Sequence, residues 1–108
     1  MDKNMHDRLV TSRKRIEEID NLLLLPETTN DMNLFKKLNK ERSQLEPIVE
    51  KFGEWEYADQ NKNDALLMCS DKDPEIAQMG KEELKKNEAL EESVEEELRV
   101  LLLPRDPN

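Results

Sequence analysis

Few residues in this 108-residue sequence are of a type that does chemistry unaided. His6 is the only histidine and Cys69 the only cysteine, and neither has a second His or Cys at the spacing a metal ion needs. Cys69 follows Leu66, Leu67 and Met68, the setting of a small core residue rather than of an activated thiolate. A lone cysteine forms no intramolecular disulfide, so nothing points to an oxidising compartment and a cytoplasmic location is expected. Carboxylates are plentiful, most densely at Glu95, Glu96 and Glu97. Acid–base work, however, requires a buried pair whose surroundings split the two pKa values, and adjacent glutamates along a helix spell a solvated face instead. There is no glycine-rich phosphate loop, no serine elbow and no interleaving of aromatic with basic residues for single-stranded RNA. No catalytic residue, metal ligand or cofactor site is expected, and the sequence does not read as an enzyme.

What remains is charge. The net charge is -9, yet residues 1–51 carry 10 Lys/Arg against 10 Asp/Glu, whereas residues 52–108 carry 7 against 16. Contact with a nucleic acid depends on cations that displace counterions from phosphates, so it would have to use the first half. The candidates there are Lys36, Lys37, Lys40, Arg42 and the run Arg13-Lys14-Arg15. The plainer reading is that these residues form a solvated helix face.

The elements that would position these residues are helical. Hydrophobic residues make up 35% of the chain, charged residues 40% and aromatics 4%, with two glycines, a profile of long helices rather than of a sandwich, a barrel or a βα-layered enzyme. The longest apolar runs, Leu22 to Leu25 and Val100 to Leu103, are too short for a membrane span or a signal peptide. Met5, Leu9, Ser12, Ile16, Ile19 and Leu23 recur at heptad spacing and predict a helix over residues 2–25, closed by Pro26. After a turn through residues 26–30, Thr29 or Asn30 can cap a second helix. Its stripe is Leu34/Phe35, Leu38, Leu45, Ile48/Val49, Phe52 and Trp55 over residues 30–69, and a kink or break is expected near residues 46–47, because Pro47 removes a backbone donor. Continuity through the polar stretch Asp59 to Asp64 is open. Asp73-Pro74-Glu75 is a helix-start signal, and a third helix over residues 74–102 places Ile76, Met79/Gly80, Leu84, Asn87, Leu90, Val94, Leu98 and Leu101 on one stripe. Its glutamates, Glu91 among them, are assigned mostly to the opposite face. Gly80 is expected to permit close approach of a neighbouring helix. The fold class is therefore all-α: an elongated antiparallel bundle or coiled coil of three long helical segments, four if Pro47 breaks the second. Residues 1–103 form the helical domain, and residues 104–108, with two prolines, read as the start of a linker.

The string Val100-Leu101-Leu102-Leu103-Pro104-Arg105-Asp106-Pro107 resembles the end of the amino-terminal helical domain of bacterial class I peptide chain release factors of the UAA/UAG-reading type. Leu34-Phe35-Lys36-Lys37-Leu38-Asn39-Lys40-Glu41, Leu45-Glu46-Pro47-Ile48-Val49 and Asp73-Pro74-Glu75-Ile76 extend the resemblance to essentially the whole sequence. In that family the domain precedes a core with a Gly-Gly-Gln tripeptide, which promotes peptidyl-tRNA hydrolysis, and a tripeptide that reads the stop codon. This sequence contains neither. The resemblance implies a ribosome-docking arm in translation termination. Its partners would be the stalk base of the large ribosomal subunit and the class II termination GTPase, with Lys36, Lys37 and Lys40 facing the ribosome. The competing reading is a stand-alone coiled-coil adaptor or chaperone-like arm, since heptads at helical spacing are generic. An arm of a larger factor should be a monomer in isolation, whereas an adaptor using its stripe would sediment at twice 12.7 kDa.

Overall fold

In a computed structural model of the chain, residues 1–104 are described, and they form helices with no strand among them. Residues 105–108, most of the expected linker, lie outside the described residues. The helices are α1 (Lys3–Leu23), α2 (Pro26–Thr29), α3 (Met32–Cys69) and α4 (Pro74–Leu102). None is long and apolar enough to cross a membrane.

Local chemistry accounts for the end of α1 and the starts of α2, α3 and α4. Leu25 is extended (φ -80°, ψ 139°) because the ring of Pro26 crowds α geometry in the residue before it, and α1 accordingly stops at Leu23. Pro26 then opens the one-turn helix α2 where the sequence suggests only a turn, and Thr28 is buried within it. The cap of α3 is neither Thr29 nor Asn30. Asn30 closes α2 in an α conformation (φ -85°, ψ -10°), whereas an N-cap needs extended backbone. Asp31 takes the role: its Oδ1 accepts from Leu34 N at 3.1 Å and its carbonyl accepts from Phe35 N at 2.9 Å. At α4, Asp73 Oδ1 accepts from Glu75 N at 2.9 Å and Pro74 fills the first turn.

The break considered at Pro47 does not occur: α3 runs unbroken for 38 residues. Proline costs this helix one hydrogen bond, the one its missing N–H would give to the Ser43 carbonyl, and Ser43 is exposed, so water can take the vacant acceptor. Helix also continues through residues 59–64. Ala58 and Ala65 are both buried and seven residues apart, so the polar turns between them must keep the same face inward.

The chain divides into two compact units, residues 1–50 and 51–108, with the junction inside α3. In the first unit the short connection through α2 turns α3 back antiparallel to α1. Met5, Leu9, Ile19, Thr28 and Leu38 are its buried residues. In the second unit α3 and α4 are antiparallel: Lys51 pairs with Glu97, Trp55 with Glu95 and Lys62 with Glu91, one sequence rising as the other falls. Phe52, Trp55, Ala58, Ala65, Val94 and Leu98 form its apolar interior.

Candidate functional site

On α3, Lys36 and Lys40 are four residues apart and share a helix face, with Lys37 one step around it. All three are exposed, while Leu38 between them is buried and Phe35 half-buried on the side turned to the interior. The α-helical repeat thus separates an apolar face that holds the helix in place from a basic face turned to solvent.

The structure sorts the basic residues of this unit into two groups. Arg15 and Arg42 are consumed by carboxylates. Arg15 grips Glu41 bidentately through Nε and Nη2, the latter at 3.0 Å, and its Nη1 donates to Glu18 at 3.0 Å. Arg42 Nε donates to Asp20 Oδ1 at 2.7 Å and Nη1 to Glu46 Oε2 at 3.1 Å. These forks tie α1 to α3 with the geometry that suits guanidinium and carboxylate planes. The Arg15 hydrogen bonds hold the Glu41 carboxyl below the usual carboxylate range, and hydrogen bonding to their carboxylates raises both arginines. Among the described residues, neither Lys36 nor Lys40 is held in an ion pair, and Lys37 acts on Glu41 only through its field. Lys14 is also exposed, whereas Arg13 is half-buried. The ammonium groups of Lys36, Lys37 and Lys40 therefore face solvent.

A second polar constellation was missed by the sequence reading, which set Glu91 on the solvated face of α4. Glu91 is buried, at 7% exposure, and it occupies the inward position between Asn87 and Val94, while Leu90 is 45% exposed. Spacings of four and three from Asn87 through Glu91 to Val94 carry the signal, because that step keeps the stripe in register where a step through Leu90 drifts off it. Lys62 Nζ lies 3.0 Å from Glu91 Oε2 and 3.5 Å from Asp59 Oδ1. The Lys62–Glu91 contact is an ion pair set off the direction of a hydrogen bond, so Oε2 has charge compensation without a donor aimed at it. Beside it, Asn87 Nδ2 donates to the Glu83 carbonyl at 2.8 Å. Burial raises the Glu91 carboxyl above its ordinary value, and Lys62 opposes the shift.

Because the folded form binds this proton more tightly than the unfolded chain does, Glu91 favours folding at low pH, and that gain is lost as pH rises through the elevated value. Relative to a Glu91→Gln variant, which cannot ionise, the chain is expected to gain stability on acidification from pH 7, the gain being complete near the unfolded Glu value of about 4.3. Urea midpoints followed by the fluorescence of Trp55, the single tryptophan, measure it. Parallel pH profiles for the two proteins would refute it.

Glu91 is enclosed by its own helices, and among the described residues no group of three or more His, Cys, Asp or Glu could hold a metal ion. His6 is half-buried in α1, and Cys69 is a free, half-buried thiol at the end of α3.

Comparison with known proteins adds the family context. The PCRF domain family matches residues 12–108. The chain is 43% identical over 105 residues to peptide chain release factor 1 of Agathobacter rectalis, an alignment that covers 96% of this chain. It spans 29% of the length of that relative. No solved structure matches the chain.

Proposed function

We propose that this chain, which belongs to the PCRF domain family, serves a peptide chain release factor as the arm that positions the factor on the ribosome during translation termination. The observation that carries the reading is the family match, which takes in nearly the whole chain together with the lysine-bearing helix. The relative is more than three times longer, so decoding and peptidyl-tRNA hydrolysis are assigned to segments other than this one. The finer assignments are UAA/UAG termination in the cytoplasm, the stalk base of the large subunit as docking surface, the class II termination GTPase as a further partner, and a monomeric isolated arm. Supporting the docking role is the division of labour among cations: the arginines stabilise the helix pair, and the lysines remain available to phosphates.

Reversing Lys36, Lys37 and Lys40 to Glu in the full-length factor is expected to weaken ribosome binding about tenfold or more at moderate salt. The slope of log affinity against log salt should fall by roughly two to three, as each lost phosphate contact removes about one released counterion. Affinity measured across a salt series decides the matter: an unchanged affinity and slope would remove these lysines from the interface.

A further inference from the structure

We propose that residues 43–53 of α3 form a bending element, a stretch that remains helical but yields more readily than the helix on either side. Four observations converge there. Pro47 leaves the Ser43 carbonyl without its helical donor, a recognised origin of helix bends. Gly53 is exposed, has no positive φ, and a Cβ built on it would meet nothing within 4 Å. No turn and no close contact demands a glycine there, and what remains is its effect on the helix itself, which it softens. Between Leu38 and Phe52 no residue of α3 is fully buried, and the stripe residues Leu45, Ile48 and Val49 are only half-buried, so this stretch is anchored less deeply than the helix on either side. Finally, among the described residues, the ion pairs from α3 to another helix end at Arg42 and resume at Lys51.

The division between the two compact units, at Glu50 and Lys51, falls inside this stretch. α3 runs through both units, so the stretch lies where one helix passes from the first to the second. Local softness at residues 43–53 lets α3 bend there while the cross-helix pairs of each unit stay intact. The element follows from this chain's own geometry and does not rest on the ribosomal role.

The test is a distance distribution between spin labels on the chain with Cys69→Ala, using Lys40→Cys and Leu67→Cys, two exposed sites on α3 that flank the stretch. On a straight helix they would be about 40 Å apart along the axis. The distribution is expected to be broad, and to narrow when Pro47→Ala and Gly53→Ala restore the hydrogen bond and the helix propensity. A control pair at Met79→Cys and Glu96→Cys, both on α4, should be narrow in either background. Equal widths for the α3 pair with and without the two alanines would overturn the proposal. As a second readout, Gly53→Ala alone should slow amide exchange at residues 48–56 roughly fivefold. Unchanged exchange would count against the element in the same way.

Discussion

Replacing Phe52 with Ala is expected to lower the unfolding free energy of the second unit by about 3–5 kcal/mol, the usual cost of deleting a buried aromatic ring whose neighbours cannot collapse into the space. Phe52 is fully buried and stacks on Trp55, with ring centroids 6.2 Å apart and planes 23° from parallel. Trp55 is itself held on the far side by its Nε1, which donates to Glu95 Oε1 on α4 at 3.1 Å. The indole therefore cannot slide into the cavity without giving up that hydrogen bond, which keeps the cost near the upper part of the range. Two measurements check it together: the urea midpoint should fall, and the Trp55 emission should shift to the red as water reaches the ring. A variant with wild-type stability and unshifted emission would show that the stack contributes little.

Gly80→Ala is expected to destabilise the same unit by about 1–3 kcal/mol, although alanine is the better helix former by about 1 kcal/mol. A Cβ at this position would lie 2.7 Å from Met68 Cβ, 2.8 Å from the backbone N of Cys69 and 2.9 Å from the Met68 carbonyl carbon. Two of these three atoms belong to main chain, which cannot turn aside as the end of a flexible side chain would, so α4 must move away from the end of α3. The contrast with Gly53, where the same substitution meets open space and should stabilise, makes the pair of variants informative. Thermal or urea unfolding of both, read at Trp55, should move in opposite directions. A stabilised Gly80→Ala protein would mean that the close approach is relaxed in solution.

Much of the helical framework was legible because its signals are local. Met5, Leu9 and Ile19 on the heptad stripe of α1 are buried, as are Leu38, Phe52 and Trp55 on that of α3. The Asp73-Pro74-Glu75 start of α4 depends on atoms two residues apart. Continuity at Pro47 was less legible, because propensity records the cost of proline and not the exposed carbonyl that softens it. The site divides in the same way. That residues 36–42 are basic is plain from the sequence. Which cations remain free is decided by Arg15 finding Glu41 and Arg42 finding Asp20, at separations of 26 and 22 residues that no periodicity reveals. Glu91 escaped notice because a carboxylate is normally assigned to water, and only the lysine arriving from the polar turn of α3 makes its burial tolerable.

The pairing of Lys62 with Glu91 also sets the alignment of the two helices. An apolar seam at heptad spacing is nearly indifferent to a slip of seven residues, since leucine-like side chains replace one another along it. Here such a slip would bring Lys62 opposite Leu84 or Leu98, and Glu91 opposite Trp55 or Cys69, stranding two charges against groups that cannot answer them. Misaligned hairpins are thus penalised twice over, and the buried Lys62–Glu91 link acts as a keyway that, with Lys51–Glu97, admits one setting of α4 along α3.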